Sequence, residues 1–166
     1  DMMGDVESVF AMSNTALVDI EAEDTAIVNV RFKNGALGLI EATGATRPVD
    51  LEGSLSILGE LGSVVIGGFA VNKMETWNFI KEEEEDAKVL KKYSVNPPNV
   101  YGFGHRAYYE NVVESLEKNT KHLVDGLQGR RSLELINAIY ESIDTKKEIF
   151  LRFKPSLCKL GEKNND

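Results

Sequence analysis

The sequence predicts an α+β fold: an open, largely antiparallel sheet of about six strands with helices on one face. Three observations carry this. Alternating apolar residues dominate the first half of the chain, turns of hairpin length separate those runs, and the apolar period becomes helical only after Gly104.

The elements follow in order. The opening stretch ESVFAMSNT is the first strand. In DTAIVNVRF, Ala26, Val28, Val30 and Phe32 fall on one face and Thr25, Ile27, Asn29 and Arg31 on the other, the pattern of a strand with one apolar face. Lys33-Asn34-Gly35 then supplies an Asn-Gly turn that tolerates positive φ and leads back into ALGLIEATGA. Residues 50–68, DLEGSLSILGELGSVVIGG, read as a second hairpin with Gly59 and Gly62 bracketing its turn, and NKMETWNFI follows as a further strand. The segment 82–99 opens with Glu82 to Asp86, five consecutive acids, and closes on Asn96-Pro97-Pro98-Asn99; it reads as a solvated excursion with a short helix at AKVLKKY.

Beyond Gly104, Tyr109, Val112, Val113 and Leu116 keep helical spacing, giving a helix of about 14 residues with Tyr109 on its packing stripe. Asp125 followed by Gln128 fits a loose capping box. After it, Leu133, Ile136, Ile139, Tyr140 and Ile143 form the stripe of a second helix. KEIFLRF is expected as a last edge strand. Residues 155–166 are expected as a flexible tail, so that 1–154 form one domain.

Composition narrows the function. A chain of 166 residues with 42% apolar content suits one globular domain, and the net charge of −8 would repel phosphate backbones, so nucleic acid is not an expected partner. No apolar run approaches the roughly 20 residues that span a bilayer, and the start DMMGDVESVF carries no signal-peptide pattern, so a cytoplasmic location without membrane association is expected. Opening on Asp1 and running at once into patterned sequence, the chain reads as cut from something longer. The single cysteine, Cys158, has no second thiol for a disulfide, and with two histidines a structural metal site is not expected. There is no G-x-G-x-x-G at a strand-to-helix junction, no G-x-S-x-G, no H-E-x-x-H and no P-loop.

The remaining chemistry lies in a loop and at a helix start. Arg47, in ATRPVD, either presents a guanidinium to a carboxylate or phosphate or is surface charge. His105 opens the first long helix, where the macrodipole disfavours its cation. It is either a neutral hydrogen-bonding group or a capping or solvent-exposed imidazole. Tyr101 and Tyr108 flank it, and Tyr108 points away from the stripe of Tyr109. On the sheet, the face carrying Thr25, Ile27, Asn29 and Arg31 mixes apolar and polar groups and is either solvated or an interface.

Read together and in order, EDTAIVNVRFKNGALGLIEATGATRP, DLEGSLSILGELGSVVIGG, NPPNVYGFGHRAYYENVVESL and DGLQGRRSLELINAIYESI resemble the C-terminal domain of the Gfo/Idh/MocA oxidoreductases over roughly residues 5–150. The likeness is strongest to members that oxidise UDP-N-acetylglucosamine, or its uronic acid, at the sugar C3 with NAD. The resemblance implies a dehydrogenase parent that uses NAD or NADP on a nucleotide sugar, with this stretch supplying substrate contacts through Arg47, Tyr101, His105 and Tyr108. It also implies a homodimer or tetramer formed through the open sheet face. The family's nucleotide fingerprint, its Glu-Lys-Pro lysine and its Asp-x-Gly-x-His histidine all precede the region matched here. No catalytic or cofactor-binding residue is therefore carried over, and the chain alone is expected to be inactive and to bind no nicotinamide. The other reading is a non-catalytic binding or assembly module of the same fold.

Overall fold

The computed structural model describes residues 2–51, 53–68, 71–95, 97, 99 and 101–152, with the backbone alone at Leu127. The elements are β1 (Val6–Asn14), β2 (Thr25–Phe32), β3 (Leu37–Thr43), β4 (Leu55–Leu58), β5 (Gly62–Gly67), β6 (Lys73–Phe79), α1 (Asp86–Tyr93), α2 (Gly104–Lys118), α3 (Gly126–Thr145) and β7 (Ile149–Phe150). The α+β class, the antiparallel pairing and the six strands ahead of the first helix all agree with the sequence pattern. Where the pattern predicts a single sheet, the strands divide into a four-stranded sheet, β3-β2-β1-β7, and a three-stranded sheet, β4-β5-β6. The proline-containing loop after β3 separates them: Arg47-Pro48 cannot continue a ladder, since proline lacks the amide donor.

Two compact units result. One is built from Asp1–Thr46 and Val124–Asp166, as far as they are described, and the other from Arg47–Leu123.

In the first unit, β2 pairs with β1 and β3 in the register that puts Val28 opposite both Ala11 and Ile40. Val9, Ala11, Val28 and Val30 are buried together against Ala138 of α3, with Leu135, Ile139, Ile143 and Ile149 packed around them. The faces of β2 are therefore assigned as the alternation predicts. The hairpin at 33–35 closes through Phe32 N–H to Ala36 O at 2.9 Å, with Gly35 at φ +88°, where a Cβ is unfavourable. A bulge between Val6 and Ser8 shifts the register of β1 at its start.

The stripe on α3 differs from the expected one. Ile139 and Ile143 face the core, but Leu133, Ile136 and Tyr140 are exposed. Small residues at 138 and 142 explain the rotation, because they let the helix backbone come close to β1, and Ser142 is completely buried there. The helix starts as predicted, with Asp125 Oδ1 accepting Gln128 N–H at 3.0 Å, and ends on Lys146 in the left-handed conformation. Two buried acids are held by their own partners. Glu141 accepts from Nη2 of Arg152 with both oxygens, at 2.5 and 2.7 Å. Asp24 Oδ2 accepts three successive amides, those of Ala16, Leu17 and Val18, at 2.7–3.0 Å, which ties down the β1–β2 loop.

The edge strand predicted at KEIFLRF is present as β7, beside β1. Residues 155–166, including Cys158, lie outside the described residues.

In the second unit, Val64 of β5 pairs with Ile57 and Trp77, and Ile66 pairs with Leu55 and Met74, which makes one apolar face. The helix predicted at AKVLKKY is α1, and it is fastened to β6. Trp77 Nε1 donates to Asp86 Oδ1 at 2.7 Å, and the other oxygen of Asp86 caps the amide of Glu83 at the same distance. Those two bonds, the Glu83 amide first, hold the Asp86 carboxyl below the usual carboxylate range. The last predicted packing stripe, on α2, is overturned: Tyr109 is 64% exposed and Leu116 75%, and Ser115 is the buried residue of that helix. Helical spacing specifies a face, but a face is buried only when another element covers it, and within this unit α2 makes no extended contact with α1 or the sheet.

Candidate functional site

The segment leading into α2 is shaped by Asn99. Its Oδ1 accepts the amide of Tyr101 at 3.0 Å and its carbonyl accepts that of Gly102 at 3.2 Å, an Asx turn closed by Gly102 at φ +68°. The chain then enters α2 without a side-chain cap on Phe103. At the second residue of α2, His105 Nδ1 lies 2.9 Å from the carbonyl oxygen of Tyr101, and the two rings meet edge to face with centroids 5.7 Å apart. Tyr108 continues the same line along the helix, and its ring meets that of Tyr109 at 5.8 Å.

All four sequence-predicted site residues belong to the second unit and all are exposed. The structure joins Tyr101 to His105 directly and places Tyr108 one turn further on. Arg47 begins the unit, in the loop ahead of β4, on the N-terminal side of a cis peptide to Pro48. Two supporting residues escaped the sequence reading. Asn99 fixes the Tyr101 backbone, and Tyr109 partners Tyr108 instead of packing inward. The signal for Asn99 was present, as Asn two residues before a tyrosine-glycine pair favours an Asx turn.

The chemistry available is recognition: exposed aromatic faces, an imidazole and a guanidinium. Among the described residues no cluster of histidine, cysteine, aspartate and glutamate is arranged to hold a metal, and no helix is long and apolar enough to cross a membrane. Among the described residues there is no parallel strand leading into a glycine-rich helix start, the arrangement that cradles the pyrophosphate of a dinucleotide. Both sheets are antiparallel, and the glycine-flanked start of α2, Gly102 to Gly104, follows an Asx turn and not a parallel strand.

Comparison with known proteins gives the class first: residues 1–151 match the family model described as "Oxidoreductase family, C-terminal alpha/beta domain". The chain belongs to the Gfo/Idh/MocA oxidoreductase family, as its C-terminal domain. Among solved structures it is similar to the WlbA dehydrogenase from Bordetella pertussis in complex with NADH and UDP-GlcNAcA, at 41% identity and a TM-score of 0.83, over 91% of this chain and 43% of that one. It is also similar to the WlbA dehydrogenase from Chromobacterium violaceum in complex with the same two molecules, at 40% identity and a TM-score of 0.79, over 91% of this chain and 41% of that one. A curated relative, the myo-inositol 2-dehydrogenase of Thermotoga maritima, is 32% identical over 164 residues, covering 90% of this chain and 44% of the relative. The chain thus spans less than half the length of each of these three proteins.

Proposed function

We propose that the chain is the substrate-binding and oligomerisation domain, residues 1–154, of a dehydrogenase that oxidises a nucleotide sugar by hydride transfer to NAD or NADP. The observation that carries this reading is the similarity, over 91% of the chain, to two dehydrogenases complexed with NADH and UDP-GlcNAcA. In this reading the cofactor is held by another part of the protein, since the described residues here form no pyrophosphate cradle. This domain supplies sugar and phosphate contacts: Arg47 for an anionic group, Tyr101 and Tyr108 for the apolar faces of the ligand, His105 for a polar group. A cytoplasmic setting belongs to the same proposal, because nicotinamide cofactors and nucleotide sugars meet there.

The open face of the four-stranded sheet is the proposed subunit contact. Phe10 and Met12 of β1, Ile27 of β2, Leu37 and Leu39 of β3 and Phe150 of β7 share this face by register, and five of the six are large apolar side chains at least 40% exposed. A second copy related by two-fold symmetry is the occupant that fits a flat, self-complementary surface, giving a dimer or a tetramer of dimers.

The experiment is steady-state kinetics on the protein that carries the complete nicotinamide site. Arg47→Ala should raise KM for the nucleotide sugar by about tenfold, the equivalent of one charge-assisted hydrogen bond. Unchanged kinetics would make Arg47 surface charge. Absence of any nicotinamide-linked turnover on sugars would favour the non-catalytic module.

A further inference from the structure

We infer that His105 is fixed as its Nδ1-protonated tautomer by the carbonyl of Tyr101 and offers the Nε2 lone pair as an acceptor for a hydroxyl of the sugar. The inference rests on the substrate-binding reading above for the presence of the ligand, and adds to it which atom acts, in which protonation form, and on which kind of group.

The argument begins with the 2.9 Å contact between His105 Nδ1 and Tyr101 O. A carbonyl oxygen has lone pairs and no hydrogen, so the hydrogen of this bond sits on Nδ1. In a neutral imidazole the proton on one nitrogen leaves the other as an acceptor, which assigns the lone pair to Nε2. Tyr101 is itself immobilised, its amide held by Asn99 Oδ1 and the next residue turned by Gly102, so its carbonyl stays aimed at the ring. Its side chain stands edge-on to the imidazole at 88°, limiting rotation of the ring. Among the described residues the contacts of His105 are those with Tyr101, so no described carboxylate is bonded to Nε2. The nearest charges on its own helix, Arg106 and Glu110, are engaged with each other at 2.7 Å.

A neutral acceptor of this kind selects its ligand group. A hydroxyl can donate to Nε2, whereas a phosphate or carboxylate offers only lone pairs and requires the doubly protonated ring. The Tyr101 ring stands against the imidazole, and Tyr108, three residues on along α2, adds a second exposed aromatic face, both suited to the C–H faces of a pyranose. Together they recognise a polyhydroxylated ring, leaving the anionic part of the ligand to Arg47.

Long-range proton–nitrogen correlation on the 15N-labelled chain tests this, with His122, the other histidine, as internal reference. The free chain should show Nδ1 protonated and Nε2 bare at His105, and Asn99→Ala, which releases Tyr101, should mix the tautomers. Millimolar UDP-N-acetylglucosaminuronate should move the His105 Nε2 resonance in the direction of an accepted hydrogen bond, with Nδ1 still protonated, while UDP alone should not. His105→Gln, whose amide oxygen reaches the place of Nε2, should hold affinity within about threefold, and His105→Ala should lose about fivefold. An Nε2-protonated ring in the free chain overturns the inference. So does protonation of Nε2 on addition of the sugar nucleotide, which marks anion binding, or an unmoved His105 while the amides of Arg47 and Tyr108 respond. If no residue responds to the sugar nucleotide, the substrate-binding reading itself falls.

Discussion

Ser142 Oγ, at the end of α3, accepts the amide hydrogen of Ala11 in mid-β1 at 2.9 Å and donates to the carbonyl of Lys147 at 2.6 Å. The second edge of β1 is paired by β7 only as far as Val9, so beyond that point the Ala11 amide has no strand to bond. One hydroxyl from the helix takes the place of the missing strand and also ties down the turn after α3. Ser142→Ala should therefore destabilise the fold by about 1–3 kcal/mol, because it strands a buried amide and a carbonyl together. Urea denaturation should show a lower midpoint with an unchanged slope; an unchanged midpoint would mean that water replaces the hydroxyl at no cost.

The acid side of the stability profile should depend on Asp24. Its carboxyl is held at about 2 by the amides of Leu17 and Val18, against 3.8 ordinarily, with the amide of Ala16 adding to them. A carboxyl whose folded value is depressed stabilises the fold fully above its unfolded value and loses that contribution as the pH falls towards the folded one. Asp24→Asn should thus lower Tm by several degrees at pH 7 and flatten the loss of stability between pH 4 and 2. Thermal melts across that range check it, and parallel curves for the two proteins would refute the assignment.

Gly62, the first residue of β5, has no room for a side chain. A Cβ there would collide with the carbonyl oxygen of Asn78 and come within 2.9 Å of Phe79 Cγ. Gly62→Ala should cost about 1–3 kcal/mol by forcing β5 and β6 apart. Gly44→Ala, at a position with nothing within 4 Å of the added carbon, is the matched control and should change stability little. Equal effects at the two positions would show that chain entropy, and not the close approach, sets the cost.

Ile27→Glu should dissociate the proposed dimer while leaving the circular dichroism spectrum intact. Ile27 is 40% exposed on the face opposite the core, so the substitution buries no charge in the monomer, but it sets two like charges against each other across a two-fold interface. Sedimentation equilibrium of both proteins at high micromolar concentration is the measurement. Monomer mass for the unsubstituted chain would remove the sheet interface altogether.

The sequence by itself determined several features that depend on neighbours along the chain. The alternation of Ala26, Val28, Val30 and Phe32 assigned the faces of β2, Asn34-Gly35 set the first hairpin, and Asp125 capped α3. The same is true of family membership, because the ordered segments that carry the resemblance are local strings. Tertiary structure decided what depends on which element arrives opposite which. Tyr109, Val113 and Leu116 have the spacing of a packing stripe, yet they stand exposed because no element of their unit covers α2. On α3, Ala138 and Ser142 outrank Leu133 and Ile136 at the contact with β1, since close approach rewards small side chains and a hydroxyl that satisfies a buried amide. The candidate site divides the same way. Tyr101, His105 and Tyr108 were legible as residue types at a helix start, but the tautomer of His105 follows only from the Tyr101 carbonyl, whose position is fixed by the turn at Asn99.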